Sequence, residues 1–151
     1  MADLHVRDPE RARAAHLLRR AAMVATPSRI DELAGRPWEE AVERLLDEAR
    51  DHATDHGGGP PSTEHWDEHV AWWLRQMLRP EAEVHERLTW FWHTLLTTNA
   101  HKVGSAELVG AQLATLRANA TGTYRELLHA FVTSGALLMF LDASWSVAAN
   151  P

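Results

Sequence analysis

Signals that begin an α-helix recur along this chain, and they limit its fold more than any other feature. Asp8-Pro9-Glu10 and Thr26-Pro27 each place a capping side chain directly before a proline at the first helical position. Further along, Ser105 and the pair Thr123 and Glu126 predict two more starts, the second as a capping box. No segment alternates apolar and polar residues between hairpin turns, as strands would. The sequence therefore predicts an all-α fold, an irregular multi-helix bundle of about six to eight helices.

The spacing of apolar residues predicts which helix faces are buried. In the helix expected from Thr63 to about Arg79, the apolar side chains that we expect to face inward are Trp66, Val70, Trp73, Leu74 and Met77. The helix expected at about 81–97 carries an inward stripe made of Val84, Leu88, Phe91 and Leu95. Trp92 and Leu96 lie beside that stripe and Trp90 projects elsewhere, so apolar groups cover well over half of the helix circumference. Such a helix is buried on more than one side, and we expect it to be the Trp-rich centre of the bundle.

The length of the chain favours one domain. Its 151 residues and 17.0 kDa fit a single core, so we predict one helical domain over residues 1–151. The main interruption is residues 51–63, DHATDHGGGPPST, whose three glycines and two prolines cannot continue a helix. We expect a flexible loop there, and a polar connection from Thr97 to Gly104.

Composition excludes several classes of protein. The formal net charge of −6 disfavours nucleic acid as a partner, because phosphate binding needs a basic surface. No stretch approaches the ~20 apolar residues that a membrane-spanning helix requires. The chain has no cysteine, which excludes disulfides, thiolate nucleophiles and cysteine-bound zinc. No signal peptide is visible, so the default expectation is a cytoplasmic location.

Four stretches resemble, in order, the N-terminal part of a large bacterial family catalogued as domain of unknown function 1800. They are HLLRRAAMVATPSRIDELAG at 16–35, WWLRQML at 72–78, LTWFWHTLLTTNAHKVG at 88–104 and YRELLHAFVTSGALLMFLD at 124–142. The resemblance implies a longer protein that continues past a proline like Pro151 into a polar segment, so we expect this chain to be truncated there. Some family members carry export signals, which keeps an extracytoplasmic location open. The resemblance supplies no established catalytic residues.

One histidine on the expected central helix could carry chemistry. His93 lies opposite the apolar stripe, and an imidazole there could act as a general acid–base or could join two layers of the core by hydrogen bonds. The resemblance places His93, Asp142 and Asn150 at or near the family's most polar motifs. These three residues are therefore the candidate catalytic residues.

Two further histidines have the spacing of zinc ligands. His65 and His69 are four residues apart, which places both on one helix face, and His52, Asp55 and His56 precede them across the Gly-rich loop. The HEXXH pattern of zinc proteases is not present. The alternative is a solvated polar face, and the sequence predicts neither a metal site nor a cofactor.

Three functions fit these observations. The first is a structural or interaction region that packs on a missing C-terminal region or on a protein partner. It would leave apolar surface exposed near 136–147, including Trp145, which favours self-association. The second is the N-terminal part of an enzyme, most plausibly a hydrolase, that uses His93 and Asp142. The third is a carbohydrate-binding module that uses the exposed indoles of Trp66, Trp72 or Trp145.

Overall fold

The fold is all-α, as predicted. The computed structural model describes residues 8–54 and 58–146, with the side chains of 52–54 excepted. Within these residues there are nine α-helices: α1 (Pro9–Ala21), α2 (Pro27–Ala34), α3 (Trp38–Thr54), α4 (Trp66–Met77), α5 (Glu83–Leu95), α6 (Ala100–Val103), α7 (Ala106–Ala118), α8 (Tyr124–Val132) and α9 (Gly135–Phe140). Two single 3-10 turns, Pro80–Ala82 and Ala143–Trp145, precede α5 and follow α9. The short helix α6 occupies the expected connection between Thr97 and Gly104, where Asn99 caps it and Gly104 ends it in a left-handed conformation.

The predicted caps begin four of the nine α-helices in the described residues. Asp8, Thr26 and Ser105 each accept a hydrogen bond from a backbone N–H three residues ahead. Thr123 and Glu126 form the predicted capping box, because each side chain accepts from the other's backbone N–H. These bonds satisfy donors that a helix start would otherwise leave without partners. The local signals that predicted an all-α fold are therefore the interactions that begin its helices.

Two boundaries differ from the sequence prediction. Helix α3 continues to Thr54, so the first residues of the predicted loop at 51–63 are helical, and residues 55–57 lie outside the described residues. Helix α4 begins at Trp66 with His65 at its N-cap, later than the start expected from Thr63. Thr63 instead accepts a hydrogen bond from the His65 N–H through its hydroxyl, 3.2 Å away. The flexibility of the loop stays a prediction.

Helix α5 lies between two apolar clusters, which confirms its predicted central place. The first cluster joins α1, α2 and α3 and receives Val84 from α5; its other buried members are Ala14, Leu18, Ala22, Leu33, Ala41, Leu45 and Ala49. The second cluster joins α7 and α8 through Leu116, Leu127 and Phe131, and Trp92 of α5 packs against it. One helix therefore holds the two halves of the domain together.

The predicted inward faces of α4 and α5 are correct for Met77 and Val84, which are buried, and wrong for most of the other side chains. Phe91 and Leu95, expected in the buried stripe of α5, are more than half exposed. On α4 the exposed apolar side chains are Trp66, Val70 and Leu74. The residues that face inward instead are largely polar, and they are His69 and Gln76 on α4 with Glu83, His85, Glu86 and Thr89 on α5. The physical reason is that several of these polar groups bond to neighbouring helices, which offsets their loss of hydration.

Helix α4 approaches α7 closely at one glycine. A Cβ atom placed on Gly110 would overlap the imidazole of His69, which is buried and hydrogen-bonded through Nε2 to the Thr63 carbonyl at 2.8 Å. Because the ring is buried and held by this hydrogen bond, a side chain at residue 110 would displace it from its place between α4 and α7.

We expect Gly110→Ala to lower the free energy of unfolding by about 1–3 kcal/mol, since the added methyl forces α4 and α7 apart. The matched control is Gly35→Ala at the end of α2, where nothing lies within 4 Å of the added Cβ. Chemical denaturation of both variants measures the difference. Equal stabilities for the two variants would contradict the close approach of α4 and α7.

Candidate functional site

A buried ion pair joins α5 to α7. The carboxylate of Glu86 has 0% of its surface exposed. Arg117 donates two hydrogen bonds to Glu86 Oε1, from Nε at 2.8 Å and from Nη2 at 2.6 Å. The other oxygen, Oε2, accepts a bond from the indole Nε1 of Trp73 at 3.0 Å. One carboxylate therefore connects α4, α5 and α7.

Three further contacts surround this ion pair. We call the whole group the Glu86 cluster, and its members are Glu86, Arg117, Trp73, His85, Thr89 and Trp72. His85 Nε2 lies 2.9 Å from the carbonyl oxygen of Arg117, and Thr89 donates to the carbonyl oxygen of His85 at 3.0 Å. The guanidinium of Arg117 lies over the ring of Trp72, 5.2 Å from its centroid. Trp72, which we predicted as an exposed sugar-binding indole, is therefore buried, and that prediction is wrong for this residue.

The Glu86 cluster keeps its carboxylate ionised. Burial alone would raise the pKa of Glu86, but the adjacent imidazole of His85, the hydrogen bonds from Arg117 and Trp73 and the charge of Arg117 outweigh burial and hold the pKa below its usual value. Because Glu86 and Arg117 are enclosed by protein, they do not offer a surface to a substrate. The arrangement acts as a structural connection.

A second buried carboxylate is held by Arg29 of α2. Arg29 donates from Nε to Glu83 of α5 at 2.9 Å, from Nη1 to Glu32 at 2.7 Å, and from Nη2 to Glu48 of α3. Burial raises the pKa of Glu83, and the bond from Arg29 opposes this effect. Arg29 thus connects the inward face of α5 to the N-terminal helices, as Arg117 connects it to α7.

The candidate catalytic residues have separate surroundings. His93 lies against the paired rings of Trp73 and Trp90, with centroids 5.0 and 6.3 Å away, and burial lowers the pKa of its imidazole. Asp142 is exposed, has a left-handed backbone and accepts a bond from Lys102 Nζ at 2.8 Å. Asn150 lies outside the described residues, and the catalytic assignment stays a prediction.

The two histidines with zinc-ligand spacing also differ in surroundings. His65 is exposed at the N-cap of α4, whereas His69 is buried against Gly110 and bonded to the Thr63 carbonyl. No group of three or more metal-ligating side chains occurs within residues 8–51 and 58–146. The side chains of His52, Asp55 and His56 lie outside the described residues.

Large apolar side chains cover the outer sides of α4 and α5. We call this surface the α4–α5 face, and its members are Trp66, Val70, Leu74, Leu78, Trp90, Phe91 and Leu95. Leu78 is the most exposed of them, at 72%. The two helices meet where Trp73 contacts Trp90, with ring centroids 5.5 Å apart. Sequence reasoning assigned most of these residues to the core because periodicity does not distinguish a core face from an exposed apolar face.

A second apolar surface lies at the C-terminal end of the described chain. Leu138, Met139 and Leu141 are exposed, and the Trp145 indole is 82% exposed. The prediction of apolar surface near 136–147 is therefore confirmed for these residues, while Ala136 is buried. Trp66 and Trp145 are the two proposed sugar-binding indoles that remain accessible.

Comparison with known proteins gives one match. The model of the family described as "Protein of unknown function (DUF1800)" matches residues 16–151. Neither the curated proteins nor the solved structures contain a match to the chain. No helix within residues 8–54 and 58–146 has the length and apolar character needed to cross a bilayer.

We expect Glu86→Gln to lower the free energy of unfolding at pH 7 by about 3–5 kcal/mol, because it leaves the buried guanidinium of Arg117 without its charge partner. The pKa of Glu86 is lower in the folded protein than in the unfolded chain. Its contribution is therefore complete above the unfolded value of about 4.3 and declines as pH falls through the folded value.

Urea denaturation between pH 7 and pH 3 measures both effects. The difference between wild type and Glu86→Gln should shrink toward acid pH. The matched control is Glu39→Gln, which changes an exposed carboxylate on α3 and should alter stability little. A Glu86→Gln protein as stable as the control at pH 7 would contradict the role assigned to this ion pair.

Proposed function

Since the chain belongs to the DUF1800 family of proteins of unknown function, we propose its role from its own surface: it is an interaction domain that binds another polypeptide through the α4–α5 face. The observation that carries this proposal is the exposure of seven large apolar side chains on two adjoining helices. Four of them, Trp66, Val70, Leu74 and Leu78, are four residues apart and form one row along α4, and exposed apolar side chains grouped in this way mark a surface that another molecule covers. Trp and Phe are also enriched where proteins meet.

The rigidity of the support favours this role. Trp73 donates to the buried Glu86 and also contacts Trp90 on the α4–α5 face. The face is therefore fixed to the core of the domain before any partner arrives. A preorganised surface binds more tightly, because less conformational entropy is lost on association.

The other two functions have less support. A hydrolase that uses His93 and Asp142 requires both side chains to line one cleft, whereas their contacts lie with different residues. A sugar-binding role would depend on Trp66 at the start of α4 and on Trp145 in the turn after α9. Trp66 also forms one row with Val70 and Leu74. Aliphatic side chains beside an exposed indole favour a protein over a sugar as the molecule bound there.

We expect a photoreactive benzophenone residue at Leu74 or at Phe91 to form a crosslink with a polypeptide of defined mass in cells that naturally produce the protein. The reason is that both positions lie on the α4–α5 face and would be covered. The matched control carries the same residue at Glu39, which is exposed on α3. Denaturing gels and mass spectrometry identify the adducts. Equal, background yields at positions 74, 91 and 39 would contradict the proposed function.

A further inference from the structure

We propose that a hollow beside α4 binds a small zwitterion, a molecule of dipeptide size with an ammonium group at one end and a carboxylate at the other. The hollow has a volume of about 280 Å³. It is lined by Pro61, in the segment before α4, and by five residues of that helix, which are Asp67, Glu68, Ala71, Trp72 and Arg75. It shares no residue with the α4–α5 face, so this inference goes beyond the proposed function.

Charged groups of both signs line the hollow. Asp67 and Glu68 lie in the first turn of α4, and Arg75 lies in its last turn. All three side chains are exposed, and none forms an ion pair with another of the described residues. A helix rises 1.5 Å per residue, so the α carbons of Glu68 and Arg75 are about 10 Å apart along α4. The two signs therefore lie toward opposite ends of the hollow, where each can bind the opposite charge of one ligand.

The middle of the hollow is apolar apart from one hydrogen-bond donor. Ala71 and Trp72 lie between the acids and Arg75 along α4. Trp72 is only 6% exposed, yet its indole Nε1 has no hydrogen-bond partner among the described residues. Buried polar groups are as a rule hydrogen-bonded, so an indole N–H without a protein partner beside a hollow indicates a bound acceptor. Trp72 and Arg75 are three residues apart and are neighbours on the helix surface, so one carboxylate can accept from both.

The dimensions and charges of the hollow favour a short peptide with free ends. Its volume is near the lower end for small-molecule sites, which is about 300 Å³. An extended dipeptide spans at most about 7 Å, and the long side chains of Glu68 and Arg75 cover the remaining distance to its ends. A single amino acid carries both charges on one carbon atom and could not contact both ends. An anion or a cation alone would be repelled at one end of the hollow.

The test uses the full chain and glycyl-leucine, a dipeptide with two charged ends and one aliphatic side chain. We expect titration calorimetry to show binding with a dissociation constant of about 1 mM or below. Acetylation of the amine or amidation of the carboxylate should each raise this constant about tenfold or more, because each removes a charge-assisted contact. In NMR spectra the Trp72 indole N–H, identified by its loss in Trp72→Phe, should shift during the titration. The indole signal of Trp66 should stay unchanged.

Two neutralised variants assign the ends of the ligand. Arg75→Gln should bind the dipeptide and its amide equally. The double variant Asp67→Asn with Glu68→Gln should bind the dipeptide and its acetylated form equally. The matched control is Glu39→Gln, which changes an exposed carboxylate on α3 and should keep both preferences. All four substituted side chains are exposed, so unchanged thermal unfolding shows that the fold is retained.

Three outcomes would overturn the zwitterion site. The first is the absence of binding heat and of any shift at the Trp72 indole with about 10 mM dipeptide. The second is equal affinity of the wild-type chain for the dipeptide and its two blocked forms. The third is a preference for free ends that persists in both neutralised variants. Crosslinking at positions 74 and 91 tests the proposed function separately, because those residues lie outside the hollow.

Discussion

The ion pair between Glu86 and Arg117 is the interaction on which the rest of this structure depends. It lies inside the domain, and Glu86 also accepts a hydrogen bond from Trp73 on α4. The neighbouring His85 bonds to the backbone carbonyl of Arg117 on α7. Isolated buried charges are costly, so Glu86 and Arg117 must both be present and correctly oriented for the helices to pack. Arg29 acts in the same way at the start of α5, where it bonds to Glu83 and to two glutamates of α2 and α3. The inward face of α5 is therefore polar, and it is specified by hydrogen bonds.

This arrangement explains why the apolar sides of α4 and α5 face outward. A helix whose polar side is required inside presents its apolar side to the surroundings, as Phe91 and Leu95 do on α5. The free energy of hiding these side chains from water is then available for association with another polypeptide. The orientation of α4 and α5 therefore accounts for both the buried Glu86 cluster and the exposed α4–α5 face. Trp73 contacts both of them.

Much of the fold follows from the sequence, because the determining interactions are local. Caps at Asp8, Thr26, Ser105 and Thr123 bond within one helical turn, and the all-α prediction depends on little else. The orientation of α4 and α5 does not follow, because it depends on pairs such as Glu86 with Arg117, which are 31 residues apart. An available signal was the polar series Glu83, Glu86 and Thr89 on the expected central helix, which recurs every three residues. The surroundings of His93 do not follow from the sequence for the same reason, because its neighbours Trp73 and Trp90 come from two different helices.

The most direct test of this account is the solvent accessibility of the Leu74 methyl groups, measured by paramagnetic relaxation with a soluble probe in a protein dilution series. The account predicts strong relaxation at the lowest concentration, because the apolar side of α4 faces outward. The methyl groups of Leu45, which lie in the core, should stay protected throughout. Protection of Leu74 equal to that of Leu45 at the lowest concentration would mean that this side of α4 faces inward, and it would contradict the account.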